Sequence, residues 1–288
     1  MKISTILKEK DKGVSFEFFP PKTEEAKSQF RSVVSGLSRY DPLYASVTYG
    51  AGGSTQERTR DTLLMLKKET GLTLMSHLTC IGATKEGMDA LLRDYMENGI
   101  DNILALRGDL PHDIYEADRT LGDFRYAIDL VRFIKNYDYF SMAVAVYPEG
   151  HQEARSLDED LRHAKEKIDD AGADFAITQM FFDNAYFYDF MDRAGKIGIT
   201  IPVLPGIMPI TDLEKTKKFA SFCKATVPAS IEKEMIPFIG KPEEMFKKGV
   251  ELAVRQCEDL LRNGVKYLHF YTLNRAEAAG EILRALKI

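Results

Sequence analysis

Eight short segments rich in β-branched and aromatic residues recur along the 288-residue chain, at 14–19, 44–49, 73–80, 102–107, 141–147, 175–181, 201–206 and 267–273. Each is bounded by turn formers and too short for a buried helix, so each reads as a strand. Amphipathic stretches of helical length lie between them. Residues 157–171 are one, with Leu161, Ala164 and Ile168 at helical spacing, Ser156 or Asp158 as cap and Gly172 where a helix would stop. The strand starts repeat roughly every 30 residues, the length of one strand–helix unit. Two gaps are longer: a polar loop at 110–123, and the stretches 227–239 and 242–263, which read as added helices. The pattern predicts an α/β fold, a single (β/α)8 TIM barrel over 1–288 with an extra helical excursion before the eighth strand. An open doubly wound sheet is the alternative, and regular spacing of parallel strands favours closure.

Charge narrows the partners. With 44 acidic against 39 basic side chains, the net charge of -5 is a poor match for a nucleic-acid backbone. The first 13 residues become charged again before any apolar core of a signal peptide forms, and the longest uncharged apolar stretch, 139–148, is about half of what a membrane helix needs. A cytoplasmic protein with no membrane partner is expected. Cys80, Cys223 and Cys257 are odd in number, with no C-x-x-C, so packed reduced thiols are expected and no metal site is.

In a (β/α)8 barrel the active site forms at the C-terminal strand ends. Those ends carry Glu17, then Thr48 and Tyr49, His77, Arg107-Gly108-Asp109, Tyr147 with Glu149 and His151, Gln179, Pro205-Gly206, and Tyr271 with Asn274 and Arg275. Glu17 stands among aromatics, where desolvation is expected to raise its pKa toward neutrality, the condition for a proton donor. Strand alternation puts Phe16 and Phe18 on one face and Glu17 with Phe19 on the other, which leaves open which face looks inward. Residues 50–54 (GAGGS) resemble an anion-cradling turn, but Thr55 breaks the G-x-G-x-x-G pattern. Asp160, His163 and Lys167 share a helix face, and a solvated charged face is the ordinary reading of such a run.

The strand-end segments 15–21 (SFEFFPP), 46–51 (SVTYGA), 77–80 (HLTC), 105–109 (ALRGD), 147–149 (YPE), 176–179 (AITQ), 205–207 (PGI) and 269–275 (HFYTLNR) together resemble bacterial 5,10-methylenetetrahydrofolate reductases. Each motif alone is modest, but eight in order over essentially the whole chain are specific. The resemblance implies a flavoprotein barrel in which FAD passes a hydride from NAD(P)H, with NADH the expected donor, to methylenetetrahydrofolate. The product would be 5-methyltetrahydrofolate for methionine synthesis and one-carbon metabolism, made in ping-pong turnover. Glu17 matches the family's general acid, protonating the folate N10 so that the ring opens to a methylene iminium. Asp109 matches the residue that stabilises that cation.

The resemblance further implies FAD contacts from Thr48, Tyr49, Ala51, His77, Arg107, Gly108, Asp109, Tyr126, Ala127, Tyr147, His151, Asp160, His163 and Lys167. Folate or nicotinamide contacts fall to Glu17, Asp109, Gln179, Lys215, Phe219 and Arg275. Lys215 stands where the family often has Gln. The 110–113 segment (LPHD) replaces the Pro-Pro and Gly-rich loop of many relatives, which puts FAD contacts from that loop in doubt. A homo-oligomer is the expected assembly, and some bacterial relatives work with an additional partner protein. Residue 288 directly follows the last expected helix, so control by S-adenosylmethionine through a further domain is not expected. A flavin barrel of the proline dehydrogenase type shares the architecture but not the FEFFPP start, and a non-catalytic barrel binding folate or a partner is the alternative from another class.

Overall fold

Every strand in the protein runs parallel to its neighbours, which is what strand–helix repetition demands. A computed structural model describes residues 1–49, 56–108 and 122–288. The strands are β1 (Gly13–Phe18), β2 (Tyr44–Val47), β3 (Leu74–Thr79), β4 (Asn102–Leu106), β5 (Ser141–Val146), β6 (Phe175–Thr178), β7 (Val203–Leu204), β8 (Gly206–Ile207) and β9 (Tyr267–Tyr271). Their order is β7-β6-β5-β4-β3-β2-β1-β9-β8. β7 pairs with β6 and β8 with β9, and only Pro205 separates β7 from β8. The two ends of the sheet are therefore one stave, and the sheet closes as the expected TIM-type barrel.

That stave departs from the continuous strand expected over 201–206. Pro202 and Pro205 have no N–H to give a ladder, although their carbonyls still accept from Ala176 and His269 at 2.9 and 3.0 Å. The eighth expected strand also stops early, at Tyr271, because Leu273 and Asn274 turn through the left-handed region with φ of 49° and 56°.

Helices α2 (Glu24–Ser38), α3 (Gln56–Thr70), α4 (Lys85–Glu97), α5 (Ala127–Lys135), α6 (Leu157–Lys165), α7 (Asn184–Lys196), α8 (Leu213–Phe222) and α11 (Ala276–Leu286) surround the barrel. Phe16 and Phe18 point outward into the layer between sheet and helices, with Phe30, Val34 and Leu37 of α2. The expected excursion is α9 (Ala229–Met235), a 3-10 turn (Ile236–Phe238) and α10 (Pro242–Arg262). Gly249 lets α10 press on the loop after β8, since a Cβ there would lie 1.7 Å from the Ile210 carbonyl oxygen.

Helix α1 (Ile3–Glu9) was not expected. It closes the N-terminal end of the barrel, inserting Ile3, Ile6 and Leu7 against Tyr44, Met75, Leu104, Phe175 and Tyr267. The Asn102 side-chain oxygen accepts from Ile3 N–H at 2.7 Å and Ser141 Oγ from Ser4 N–H at 3.1 Å, so strand-borne groups serve the unpaired amides of its first turn. No described helix is long and apolar enough to cross a membrane.

Candidate active site

With the lower end filled, the barrel opens only at the C-terminal ends of its strands. A cavity of about 310 Å3 lies there. Glu17, Tyr49, His77, Arg107, Gly108, Tyr147, His151, Gln179 and Phe219 line it, bringing together much of the strand-end set.

Glu17 points inward because β1 alternates and its phenylalanines take the outer face. In register it stands beside Ser46 on β2 and Tyr271 on β9. Its Oε2 lies 3.3 Å from His77 Nε2 and 3.5 Å from His269 Nε2. Both Nε2 atoms are buried without a well-formed hydrogen bond among the described residues. His269 is held from behind: its Nδ1 lies 2.8 Å from Ser15 Oγ and 3.4 Å from Tyr44 OH, and its ring stacks on Tyr44. Thr272 Oγ1 donates to the Glu17 backbone carbonyl at 2.6 Å, fixing the strand beneath the carboxylate.

The electrostatics correct one expectation. Burial does push the Glu17 carboxyl up, but His77 and then His269 outweigh it and hold the carboxyl below its ordinary value. The aromatics that suggested an apolar pocket lie on the other face of the strand. Burial pushes His77 down, reinforced by His269 and opposed by Glu17. Burial raises Tyr49 to about 12, and drives Tyr271 well above its ordinary value with help from Glu17.

On the opposite wall, Tyr271 OH reaches across to donate to the Thr178 carbonyl at 2.6 Å. Gly206 makes that crossing possible. A Cβ there would sit 2.5 Å from both the Thr178 oxygen and the Tyr271 ring. Gln179 follows Thr178, its Oε1 accepting from Met180 N–H at 2.9 Å, which leaves its amide nitrogen available to the cavity.

Two cations stand at this end of the barrel: Arg107, after β4, lines the cavity, and Lys167 reaches the β5 backbone from outside the lining. Arg107 is gripped by Glu153 through two contacts of 2.6 and 2.7 Å. Lys167 lies in the π-helical turn Glu166–Asp170 that continues α6, and its Nζ donates to the Ala145 carbonyl on the cavity wall at 2.7 Å. Burial lowers Lys167 to about 8, against the pull of Asp160. Asp160 is raised by burial, with Lys167 and His151 opposing, and His151 is lowered by burial. Asp160 and Lys167 therefore share an inward face, whereas His163 is exposed and pairs with Glu166 at 3.1 Å.

Other expected residues lie outside the cavity lining. Thr48 gives its carbonyl to Thr59 Oγ1 at 2.9 Å. Tyr126 caps α5 with its ring exposed under the Arg125 guanidinium, and Ala127 begins that helix. Lys215 is exposed and bonded to Asp212 at 2.9 Å, and Arg275 is an exposed N-cap of α11. Ala51 and Asp109, with the 50–54 turn and most of the 110–123 loop, lie outside the described residues. Tyr271, named among the strand ends, lines the cavity, whereas Thr79 and His269 belong to the site but were not assigned to it. Their signal was the period of two: Tyr267, His269 and Tyr271 all point inward. Among the described residues no group of three His, Cys, Asp or Glu could hold a metal ion.

Comparison with known proteins agrees with this geometry. The family described as methylenetetrahydrofolate reductase matches residues 2–287. The 5,10-methylenetetrahydrofolate reductase of Pectobacterium carotovorum is 41% identical over 276 residues, covering 96% of this chain and 90% of that one. Methylenetetrahydrofolate reductase (NADH) 1 of Arabidopsis thaliana is 36% identical, over 99% of this chain and 50% of its own. Among solved structures, an uncharacterized Clostridium thermocellum protein that binds two copies of 5-methyl-5,6,7,8-tetrahydrofolic acid shares the fold, with a TM-score of 0.66 at 15% identity over 99% of this chain and 98% of that one. An inward carboxylate on the first strand of a parallel barrel, and likeness over nearly the full length, lead to one conclusion: the chain belongs to the methylenetetrahydrofolate reductase family and is an oxidoreductase that reduces methylenetetrahydrofolate.

Proposed function

We propose that residues 1–288 form one FAD-dependent catalytic domain, which takes hydride from NADH and delivers it to 5,10-methylenetetrahydrofolate in ping-pong turnover, releasing 5-methyltetrahydrofolate. The observation that carries this is the Glu17 carboxylate, inward at the cavity mouth and 15% exposed. The NADH in the name of the Arabidopsis relative favours that donor.

The residues present fit FAD. Leu104, Leu106 and Ala145 make an apolar wall, and the buried Thr79 Oγ1 and His77 Nε2 beside it have no hydrogen-bond partner among the described residues. A flat heteroaromatic ring with polar edges satisfies such a surface, and Arg107 and Lys167 suit the anionic part of the molecule. Tyr49, His77, Gly108, Tyr147, His151 and Asp160 complete the first part of that site, with Thr48, Tyr126 and Ala127 farther along it. When bound, FAD stores the hydride between the two half-reactions.

The chain's own work is orientation and proton placement. Gln179 and Phe219 hold the folate against the mouth, while Arg275 and Lys215 meet its anionic tail. A substrate seated there strips water from Glu17, and the added desolvation opposes the imidazoles and favours the protonated acid. Glu17 then gives its proton to N10, the bond from N10 to the methylene carbon breaks, and the resulting iminium accepts hydride as its carbon becomes a methyl group. The test is direct: purified protein should carry flavin absorbance, bleached anaerobically by NADH and restored by methylenetetrahydrofolate. Protein that neither retains nor rebinds FAD overturns the proposal.

A further inference from the structure

Glu149 is a strand-end carboxylate to which none of these roles falls. It follows β5 in the segment 147–151 (YPEGH), and burial pushes its carboxyl up, with Thr226 pulling it back down. The side chain does not face the reacting centre. Both of its oxygens instead accept from the Thr226 backbone N–H, at 3.0 and 3.1 Å. A second tie runs alongside, where Lys224 Nζ donates to the His151 carbonyl at 3.3 Å.

The two partners of this clamp belong to neighbouring segments, each of which also sends residues to the cavity lining. Glu149 is two residues from Tyr147 and two from His151, whose rings pack edge to face at 4.7 Å and both line the cavity. Thr226 follows the end of α8, the helix that carries Phe219 and leads into Cys223, and both of these line the cavity. The link from Thr226 back to Phe219 is short and stiff. Cys223 N–H and Ala225 N–H both donate to the Ala220 carbonyl at 3.0 Å, so the chain after α8 is bound to its last turn. Lys224, between them, adopts a left-handed φ of 56°, a shape that needs outside support in a residue other than glycine.

We propose that Glu149 is a positioning residue that sets the gap between the Tyr147–His151 wall and the α8 wall, and so places Phe219 against the incoming substrate. A carboxylate gripping a backbone amide resists both stretching and sliding, because the bond is charge-assisted and made from both oxygens. The inference rests on the reading of Phe219 as a substrate-contacting residue.

The test is a set of full-length variants, E149A, E149Q, F219A and the E149A/F219A double, read by steady-state kinetics and by amide hydrogen exchange over residues 219–227. E149A is expected to raise KM for methylenetetrahydrofolate roughly ten-fold with kcat within about two-fold, the size of one lost charge-assisted bond. E149Q keeps an oxygen for Thr226 N–H and should recover most of that loss. The double variant should be no worse than F219A alone, as two residues acting through one another require. Exchange at 219–227 should quicken in E149A and stay near wild type in E149Q. Multiplying effects of E149A and F219A, an unchanged KM, or unchanged exchange would overturn the proposal. If E149A does not fold, E149D, whose shorter side chain loses its reach to Thr226 N–H, takes its place in both readouts. A wild type that cannot turn over folate counts against the proposed function instead, and exchange still decides whether the clamp holds α8.

Discussion

His77 Nε2 stands 3.3 Å from Glu17 Oε2, so an imidazole from the third strand helps hold a carboxyl on the first below its ordinary value. That carboxylate is the proposed proton donor. Glu17→Gln keeps the shape and removes the proton, and should lower folate reduction by roughly three orders of magnitude or more, the scale of a lost general acid. Flavin content and reduction by NADH should stay near wild type. Rapid-mixing of each half-reaction separately makes the comparison, and near-normal folate turnover would send the search for the acid elsewhere.

The same pair predicts a pH effect of definite sign. His77 holds the Glu17 carboxyl below its ordinary value, while burial alone would raise it. In His77→Leu one of the two imidazole restraints is gone while His269 and the burial remain, so the Glu17 pKa rises. If Glu17 is the acid, its protonated form is the active one, and the falling limb of kcat/KM for the folate half-reaction should move toward higher pH. A limb that stays in place, or moves toward acid, would show that His77 does not govern this proton.

Lys167 should couple stability to the proposed FAD binding. Burial lowers it to about 8 from 10.5, so below pH 8 the folded protein carries a disfavoured cation. Between those values the unfolded chain holds a proton that the folded chain has released, and stability from this group rises with pH across that window. Lys167→Met should therefore stabilise the ligand-free protein at pH 7 by about 1–2 kcal/mol, allowing for the lost bond to Ala145. Its retention of FAD should fall. Melting at pH 7 and above the window, together with flavin-to-protein ratios, tests both halves.

Asp94 offers a contrast on the outside of the barrel. Arg60 on α3 grips both its oxygens on α4 at 2.6 Å, holding the carboxyl below its usual range. Asp94→Asn should cost about 1 kcal/mol, discounted for the partial exposure of both groups. The contribution should be complete above about pH 5, the ordinary value being 3.8, and disappear as pH falls through the lowered one. Urea midpoints of both proteins along that range give the answer, and a difference that persists in strong acid would contradict it.

Gly206→Ala should be costly out of proportion to one methyl. The new Cβ meets a β6 carbonyl and the Tyr271 ring, neither of which can retreat without breaking the bond between them. About 2 kcal/mol of stability should be lost, and folate turnover should fall with it as Tyr271 swings from the wall. Thermal melting and kinetics together check this, and a variant with wild-type values for both would refute it.

The staves were legible because each alternates or runs apolar between turn formers, a signal carried within a few residues. The seventh was overread because its two prolines forbid a ladder even where side chains favour one. Helix α1 has too few residues for a periodic signal and earns its place only by what it plugs. The position of Glu17 followed from the strand-end rule, but its protonation did not. That depends on His77 and His269, which are neighbours only after the barrel closes. The charged pattern on α6 split for a similar reason, with Asp160 and Lys167 turned inward and His163 left to solvent.

Closure also dates the site. Ser15 and His269 are 254 residues apart in sequence, and Glu17 and Thr272 are 255 apart, yet each pair is bonded across the β1–β9 seam. During synthesis the first strand emerges with its carboxylate early, and waits for nearly the whole chain before its partners exist. Contacts of such long range are slow to form. A nascent or C-terminally clipped chain therefore displays Glu17 without the His269 imidazole and the Thr272 hydroxyl, and the surroundings of the carboxylate are complete only when the last strand docks against the first.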